Sequence, residues 1–196
     1  MDPKTAKPCS DEIQPNQPGK RNAVHIVYGW IESLITSLIA AVLVFTLFFR
    51  IVAVSGPSML PTVRSGDRVI LSGFAYHPHR NDVVVITHTA KVTEPIIKRV
   101  IALENEVVDI DFQTGTILIN GIPLKESAYL RKGIVGQNSD YRYPLKVPKG
   151  HVFVLGDNRA ISNDSRFQDI GMIDQQFILG KAQFIVFPFD RVGKIK

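Results

Sequence analysis

A long, almost uncharged stretch near the amino terminus constrains this chain more than any other feature. Glu32 is the only charged side chain in residues 26–49. About 20 consecutive apolar residues are enough to cross a bilayer as a helix, and a helix satisfies its backbone hydrogen bonds within the segment. The stretch therefore predicts a membrane anchor, which we assign to residues 24–50.

Two other interpretations of this stretch fit less well. A buried core helix would show an amphipathic period, and residues 34–49 show none. A cleavable secretory signal would have a shorter apolar core. Tyr28 and Trp30 lie at the start of the stretch and Arg50 follows it, as interfacial side chains do in retained anchors. We therefore expect a single retained span.

Charge on either side of the anchor bears on its orientation. Arg50, Arg64 and Arg68 follow the anchor and weaken the preference for a cytoplasmic amino terminus, but long domains cross a membrane regardless of charge. The polar, proline-rich leader over residues 1–23 is expected to be disordered. Under the positive-inside rule a cytoplasmic amino terminus, with the following domain outside, is favoured by the basic residues Lys4, Lys7, Lys20 and Arg21.

Charge and cysteine content exclude several classes of partner. The 23 basic residues exceed the 18 acidic ones, but the excess of +5 is spread out, whereas a nucleic-acid site is normally clustered. Attraction to anionic lipid is the simpler interpretation. Cys9 is the only cysteine and lies in the leader, so neither an internal disulfide nor a cysteine-based metal site is expected. His77 and His79 are expected in a solvated loop. We predict no nucleic-acid partner, no metal and no cofactor.

After the anchor, the sequence consists of short β-branched runs separated by turn residues. Asn120-Gly121 lies between two apolar triplets in residues 116–124, which is a strong signal for a two-residue hairpin. No long helical period appears. The pattern predicts a mainly β, barrel-like domain over residues 51–196, with strands at residues 68–71, 82–87, 96–103, 106–110, 151–155 and 178–187.

Three clusters could carry chemistry, and each also has a plain structural interpretation. Ser58 lies in a loop with two prolines and a glycine, which is ordinary turn composition when taken alone. Lys98 and Arg99 point to opposite, apolar faces of a predicted strand, so one of the two should be buried unless the lysine lies at an edge. Residues 156–166 hold two Asp, two Arg and two Ser, which could simply pair with one another.

Together these clusters resemble the type I signal peptidases, which are membrane-anchored serine endopeptidases. The Ser58-Met59-x-Pro61-Thr62 box follows the anchor, and the Lys98-Arg99 strand follows that box. Residues 81–85 resemble the strand box between them, and the Gly-Asp-Asn-Arg segment at residues 156–159 closes the set in the family's order.

The resemblance implies a role for each matching residue. Ser58 is implied as the nucleophile and Lys98 as its general base, and an amine can act as a base only when it is neutral. Burial among apolar neighbours would lower the pKa of Lys98 and favour that neutral form. Ser162 is implied to orient Lys98, and the resemblance implies a structural role beneath the site for Arg99, Asp157, Asp164 and Arg166.

The resemblance also implies a substrate class and a location. Family members cut exported preproteins after small side chains at the first and third positions before the bond. Our candidates for the walls of shallow pockets are Val54, Met59 and Ile97. The implied location is the inner or plasma membrane, or a thylakoid-type membrane, with the lipid bilayer as a second partner.

Two departures and two rival hypotheses remain. Many relatives have an oxyanion-stabilising serine where this chain has Gly56, and residues 102–106 lack the family's Gly-x-Pro-Gly-Asp turn. The first rival is a self-cleaving Ser–Lys regulator related to the SOS repressors. It would need an internal Ala-Gly cut site, which the chain lacks. The second is a membrane-tethered β-domain that binds a partner without catalysis.

Overall fold

The computed structural model describes residues 19–73, 76–126, 129–130 and 139–195. Its contacts divide the chain into two compact units, Met1–Val44 and Phe45–Lys196. Most of one long helix belongs to the first unit, and a β-domain belongs to the second.

Helix α1 runs from Gly19 to Phe48. Its segment Val24–Thr46 is long and apolar enough to cross a membrane, and its side chains are exposed. The prediction of one amino-terminal apolar helix that could span a membrane is thus confirmed. Residues 1–18, including Cys9, lie outside the described residues.

The helix differs from the predicted anchor at both ends. Residues 19–23, expected in a disordered leader, are helical, because Lys, Arg and Ala are good helix formers that extend the apolar helix by more than a turn. Phe49 and Arg50, expected in the anchor, are instead strand residues whose register partners are Ser72 and Leu71.

The described part of the β-domain contains twelve strands, and all its sheet pairings are antiparallel. The strands are β1 (Phe49–Ala53), β2 (Arg68–Ser72), β3 (Val83–Ile86), β4 (Ile96–Ala102), β5 (Val107–Asp111), β6 (Thr116–Ile119), β7 (Ile122–Pro123), β8 (Leu145–Lys146), β9 (His151–Leu155), β10 (Ile173–Asp174), β11 (Ile178–Phe187) and β12 (Gly193–Lys194). The mainly β fold and all six predicted strands are confirmed.

The strands form a large curled sheet and a small sheet. The large sheet has the order β1-β2-β11-β3-β4-β9-β10, with β12 on β11, and it curls into a half-barrel. The small sheet has the order β7-β6-β5-β8. The predicted hairpin joins β6 to β7 through Asn120 and Gly121, whose φ angles of 51° and 80° suit a type I′ turn.

Strand β4 lies inside the large sheet, between β3 and β9. Six of its seven residues are buried, because apolar side chains cover both of its faces. Lys98 and Arg99 are therefore both buried, where the sequence led us to expect only one. The alternative of an edge lysine is wrong, because β4 is not an edge strand.

Phe153 offers a test of the core that supports β4. It is fully buried among side chains from both sheets, whereas Phe189 is 84% exposed. We expect Phe153→Ala to lower the free energy of unfolding by about 3–5 kcal/mol. The matched control Phe189→Ala should change it by less than about 0.5 kcal/mol. Denaturant unfolding of the full chain in detergent measures both, and equal effects would contradict the described core.

Candidate functional site

The loop between β1 and β2 holds Ser58 in place. Backbone hydrogen bonds close the base of the loop, from Val54 N to Asp67 O (2.8 Å) and from Gly66 N to Val54 O (2.9 Å). Met59, next to the serine, is 1% exposed and packs in the core. The loop therefore fixes the serine hydroxyl at one position.

Lys98 reaches this serine from β4. Its Nζ atom donates a hydrogen bond to Ser58 Oγ at 2.9 Å, and the lysine is only 4% exposed. Burial lowers the pKa of Lys98 to about 8; Asp164 and Asp157 act in the opposite direction, and Arg166 acts in the same direction. Because a neutral amine can accept a proton over the same contact, the geometry suits nucleophile activation.

Arg99, the neighbour of Lys98, is neutralised by a buried carboxylate. Its Nε and Nη2 atoms donate to the two oxygens of Asp157 at 2.8 and 2.6 Å, and both side chains are fully buried. Thr62 Oγ1 also donates to this carboxylate, and the Tyr129 ring lies 3.9 Å from the guanidinium carbon. The pair thereby ties the serine loop to β4.

A second buried pair organises the segment after β9. Arg166 Nε and Nη2 donate to the oxygens of Asp164 at 2.8 and 2.9 Å. Asp164 also accepts from the Gly156 amide at 3.1 Å, and Arg166 Nη2 donates to Ser162 O at 3.1 Å. These contacts fix the segment that faces the serine loop.

Two backbone contacts join this segment to the serine loop. The backbone N–H of Asn158 donates to Ser58 O at 2.9 Å, and the side-chain Nδ2 of Asn158 donates to Pro57 O at 3.3 Å. The Ser58 amide N–H donates to no group that the structure describes. That N–H is therefore available to an oxygen of a bound ligand.

Ser162 does not make the predicted contact with Lys98. Its Oγ is buried and has no hydrogen-bond partner among the described residues. The hydroxyl packs against Gly156 instead, where an added Cβ would lie 2.2 Å from it. An orienting role for Ser162 therefore stays a prediction.

Gly56 combines open space with a strained backbone. No heavy atom lies within 4 Å of the position that a Cβ would take, but its φ of +90° disfavours any side chain. The backbone turn thus explains the glycine without reference to the oxyanion.

A groove of about 350 Å³ opens beside the serine and the lysine. Val54 and Ile97, two of the predicted pocket walls, line it together with Ser58 and Lys98. Met59 does not line this groove, because its side chain points into the core cluster. The remaining lining residues are Val52, Ala53, Ser55, Val85, Glu94, Pro95 and Ile96.

Sequence reasoning missed a second layer of contacts. Glu126 pairs with the buried Arg159, whose Nε donates to Gly156 O at 2.9 Å. Glu126 also accepts from the Tyr129 hydroxyl at 3.1 Å, beside the ring that covers Arg99. Residues 124–130 carry no periodic pattern that could have pointed to this role.

Comparisons with known proteins identify the family of this chain. Residues 27–187 match the family described as "Signal peptidase, peptidase S26". "Signal peptidase I" of Bacillus licheniformis is 32% identical over 183 residues, which cover 88% of this chain and 95% of that protein. "Signal peptidase I" of Leptolyngbya laminosa is 38% identical over 149 residues, which cover 70% of this chain and 68% of that protein.

A solved structure is also similar. The crystal structure of a signal peptidase I from Enterococcus faecalis V583 has a TM-score of 0.41 and 30% sequence identity, over 54% of this chain and 97% of that chain.

The chain belongs to the signal peptidase family, peptidase S26. It is accordingly an enzyme, a serine endopeptidase of the hydrolase class. Family membership removes the support for a non-catalytic binding module and for an SOS-type regulator. The apolar helix and the relatives together indicate association with a membrane.

Gly156 tests how closely the site is packed. An added Cβ would lie 2.6 Å from Ser58 O as well as 2.2 Å from Ser162 Oγ. We expect Gly156→Ala to displace Ser58 and to lower kcat about a hundredfold, since small misplacements of reacting groups cost that much. Cleavage kinetics in detergent measure the loss, and Gly193→Ala, where space is open, is the control. Unchanged kcat in Gly156→Ala would contradict the close packing.

Proposed function

We propose that this enzyme removes amino-terminal leader peptides from exported preproteins, with Ser58 as the nucleophile and Lys98 as the general base. The observation that carries the proposal is the 2.9 Å contact between Lys98 Nζ and Ser58 Oγ, made by a lysine that is 4% exposed. A Ser–Lys pair is a known variant of the serine protease triad.

The proposed reaction proceeds through an acyl-enzyme. Neutral Lys98 accepts the hydroxyl proton while Ser58 Oγ attacks the carbonyl carbon of the scissile bond. The resulting ammonium gives that proton to the leaving amine, the C–N bond breaks, and the leader stays on Ser58 as an ester. Lys98 then takes a proton from water, whose oxygen attacks the ester carbonyl. The bond between that carbon and Ser58 Oγ breaks, the Lys98 ammonium returns its proton to Oγ, and the leader leaves as a free acid that ionises to a carboxylate.

The oxyanion needs donors in place before the reaction. The Ser58 amide N–H is our candidate, because no described group accepts its hydrogen bond. Arg99 and Asp157, with Asp164 and Arg166, are proposed to support the site as paired charges rather than to touch substrate. Ser162 is proposed to orient Lys98 when substrate is bound.

The substrate is proposed to lie extended in the groove. Val54 and Ile97 line the groove and would admit only small side chains at the first and third positions before the bond. Shallow apolar walls act by steric exclusion, so Ala-x-Ala sequences should be preferred.

The proposed arrangement in the membrane follows from the charges. The segment before the helix is proposed to lie on the cytoplasmic side, the apolar helix that ends at Phe48 to be the anchor, and the domain that begins with β1 at Phe49 to be the catalytic domain on the outer side of an inner, plasma or thylakoid-type membrane. The basic residues before the helix support this orientation, since cytoplasmic flanks carry the excess of Lys and Arg.

Cleavage of a preprotein by the detergent-solubilised enzyme tests the proposed function. The wild type should release the mature protein, and Ser58→Ala should retain less than about a hundredth of its turnover, because the covalent nucleophile is lost. Ser72→Ala makes the same chemical change outside the groove and should stay active. A fully active Ser58→Ala enzyme would exclude Ser58 as the nucleophile.

The role of Lys98 gives a pH dependence with a definite sign. Only the neutral amine is competent, so kcat/KM should rise with pH through an apparent pKa near 8, where an unshifted lysine would require about 10.5. At pH 7 about a tenth of the enzyme is then competent. Lys98→Arg should be as inactive as Lys98→Ala, because guanidinium stays protonated. An active Lys98→Arg enzyme would mean that the residue supplies only charge.

The pocket hypothesis predicts selection by size. Peptides with Ala at the first and third positions before the bond should be cut, whereas Phe or Lys at the first position should block cleavage by clash. Mass spectrometry of the products identifies the bond. Comparable turnover of the Ala and Phe peptides would rule out walls formed by Val54 and Ile97.

A further inference from the structure

The groove carries an acidic side chain that the proposed reaction does not use. Glu94 is the only carboxylate among the described residues that line the groove. It is exposed, and it forms neither an ion pair nor a side-chain hydrogen bond with any residue that the structure describes. Its negative charge is therefore available to a ligand that occupies the groove.

The position of Glu94 along the chain sets its distance from the reacting atoms. It precedes Lys98 by four residues and leads through Pro95 into β4. The chain bends at Glu94 and enters β4 directly after Pro95, and helical backbone is disfavoured for the residue before a proline. At about 3.3 Å per extended residue, roughly 13 Å separate Glu94 from Lys98 along the groove.

A bound peptide should match this spacing residue for residue. The inference rests on the proposed function, in which the residue before the scissile bond lies beside Lys98 and the leader side passes Ile97. A peptide extended along the groove then brings its fifth residue before the bond level with Glu94. Because side chains alternate with a period of two, the fifth residue points to the same side as the first and third.

We propose that Glu94 is a specificity-determining residue that favours substrates with Lys or Arg at the fifth position before the scissile bond. By the same charge rule it disfavours Asp or Glu at that position. Its role is in substrate selection, and the Ser58–Lys98 chemistry does not depend on it.

Three matched peptides test this selection on the full-length enzyme in detergent. They share Ala at the first and third positions and differ only in Lys, Gln or Glu at the fifth. Wild-type kcat/KM should fall in the order Lys, Gln, Glu, with about a twofold to fivefold spread, as exposed charge pairs give. The spread should shrink at high salt, where exposed charges are screened.

Variants at position 94 sharpen the test. Glu94→Gln should abolish the ranking, and Glu94→Lys should reverse it. Asp190→Asn removes an exposed carboxylate that does not line the groove and should leave the ranking unchanged. A Lys moved to the tenth position before the bond should bring no gain, because it lies beyond the reach of Glu94.

The possible failures are distinguishable. Equal cleavage of the three peptides by the wild type, or the same ranking in Glu94→Lys, overturns the role of Glu94 and leaves the proposed function standing. If Glu94→Gln lowers kcat/KM equally for all three peptides and displaces the pH profile, Glu94 acts through Lys98. That result also overturns the proposed role of Glu94 in substrate selection. If the wild type cuts none of the peptides, the proposed function fails and this inference fails with it.

Discussion

A lysine can serve as a base only if its surroundings disfavour its charge, and this site meets that requirement among other buried cations. Arg99 and Arg166 are both fully buried close to Lys98. Each is paired through two hydrogen bonds with its own carboxylate, so neither leaves a large uncompensated charge. Burial is the largest influence on the pKa of Lys98 and lowers it. Asp164 raises this pKa and Arg166 lowers it, so the two oppose each other.

The same pairs hold together segments that are distant in sequence. Asp157 binds Arg99 of β4 and Thr62 of the serine loop, and Asn158 beside it binds the Ser58 carbonyl. Breaking a buried pair by removing one partner costs about 3–5 kcal/mol, because it leaves an unpaired charge. Stability and catalytic geometry therefore depend on the same contacts, so a loss of activity at Asp157 needs a stability measurement beside it.

A feature could be predicted from the sequence when neighbouring residues determine it, and could not when it depends on contacts between distant segments. Strands such as β3 and β4 carry β-branched runs. Strand β1, by contrast, continues the apolar stretch of the anchor, and two-residue strands such as β8 are too short to show alternation. The order of the motifs predicted that Ser58 and Lys98 form one site, and the structure has a hydrogen bond between them. The direction of the Met59 side chain and the missing Ser162–Lys98 bond depend on packing. Glu126 and Tyr129 support the site through Arg159 and Arg99, which are distant from them in sequence.

In the proposed mechanism the Ser58 N–H binds the oxyanion, and the backbone around Gly56 would position that donor without a serine hydroxyl at position 56. The positive φ of Gly56 turns the chain into Pro57 and Ser58, whose carbonyls both accept hydrogen bonds from Asn158. Because these two carbonyls are held, the peptide plane that carries the Ser58 N–H has a fixed orientation, and its donor is left unused among the described residues. A fixed donor loses no free energy to reorganisation when charge develops on the substrate oxygen. A serine at position 56 would add a hydroxyl but would strain the turn that fixes this amide.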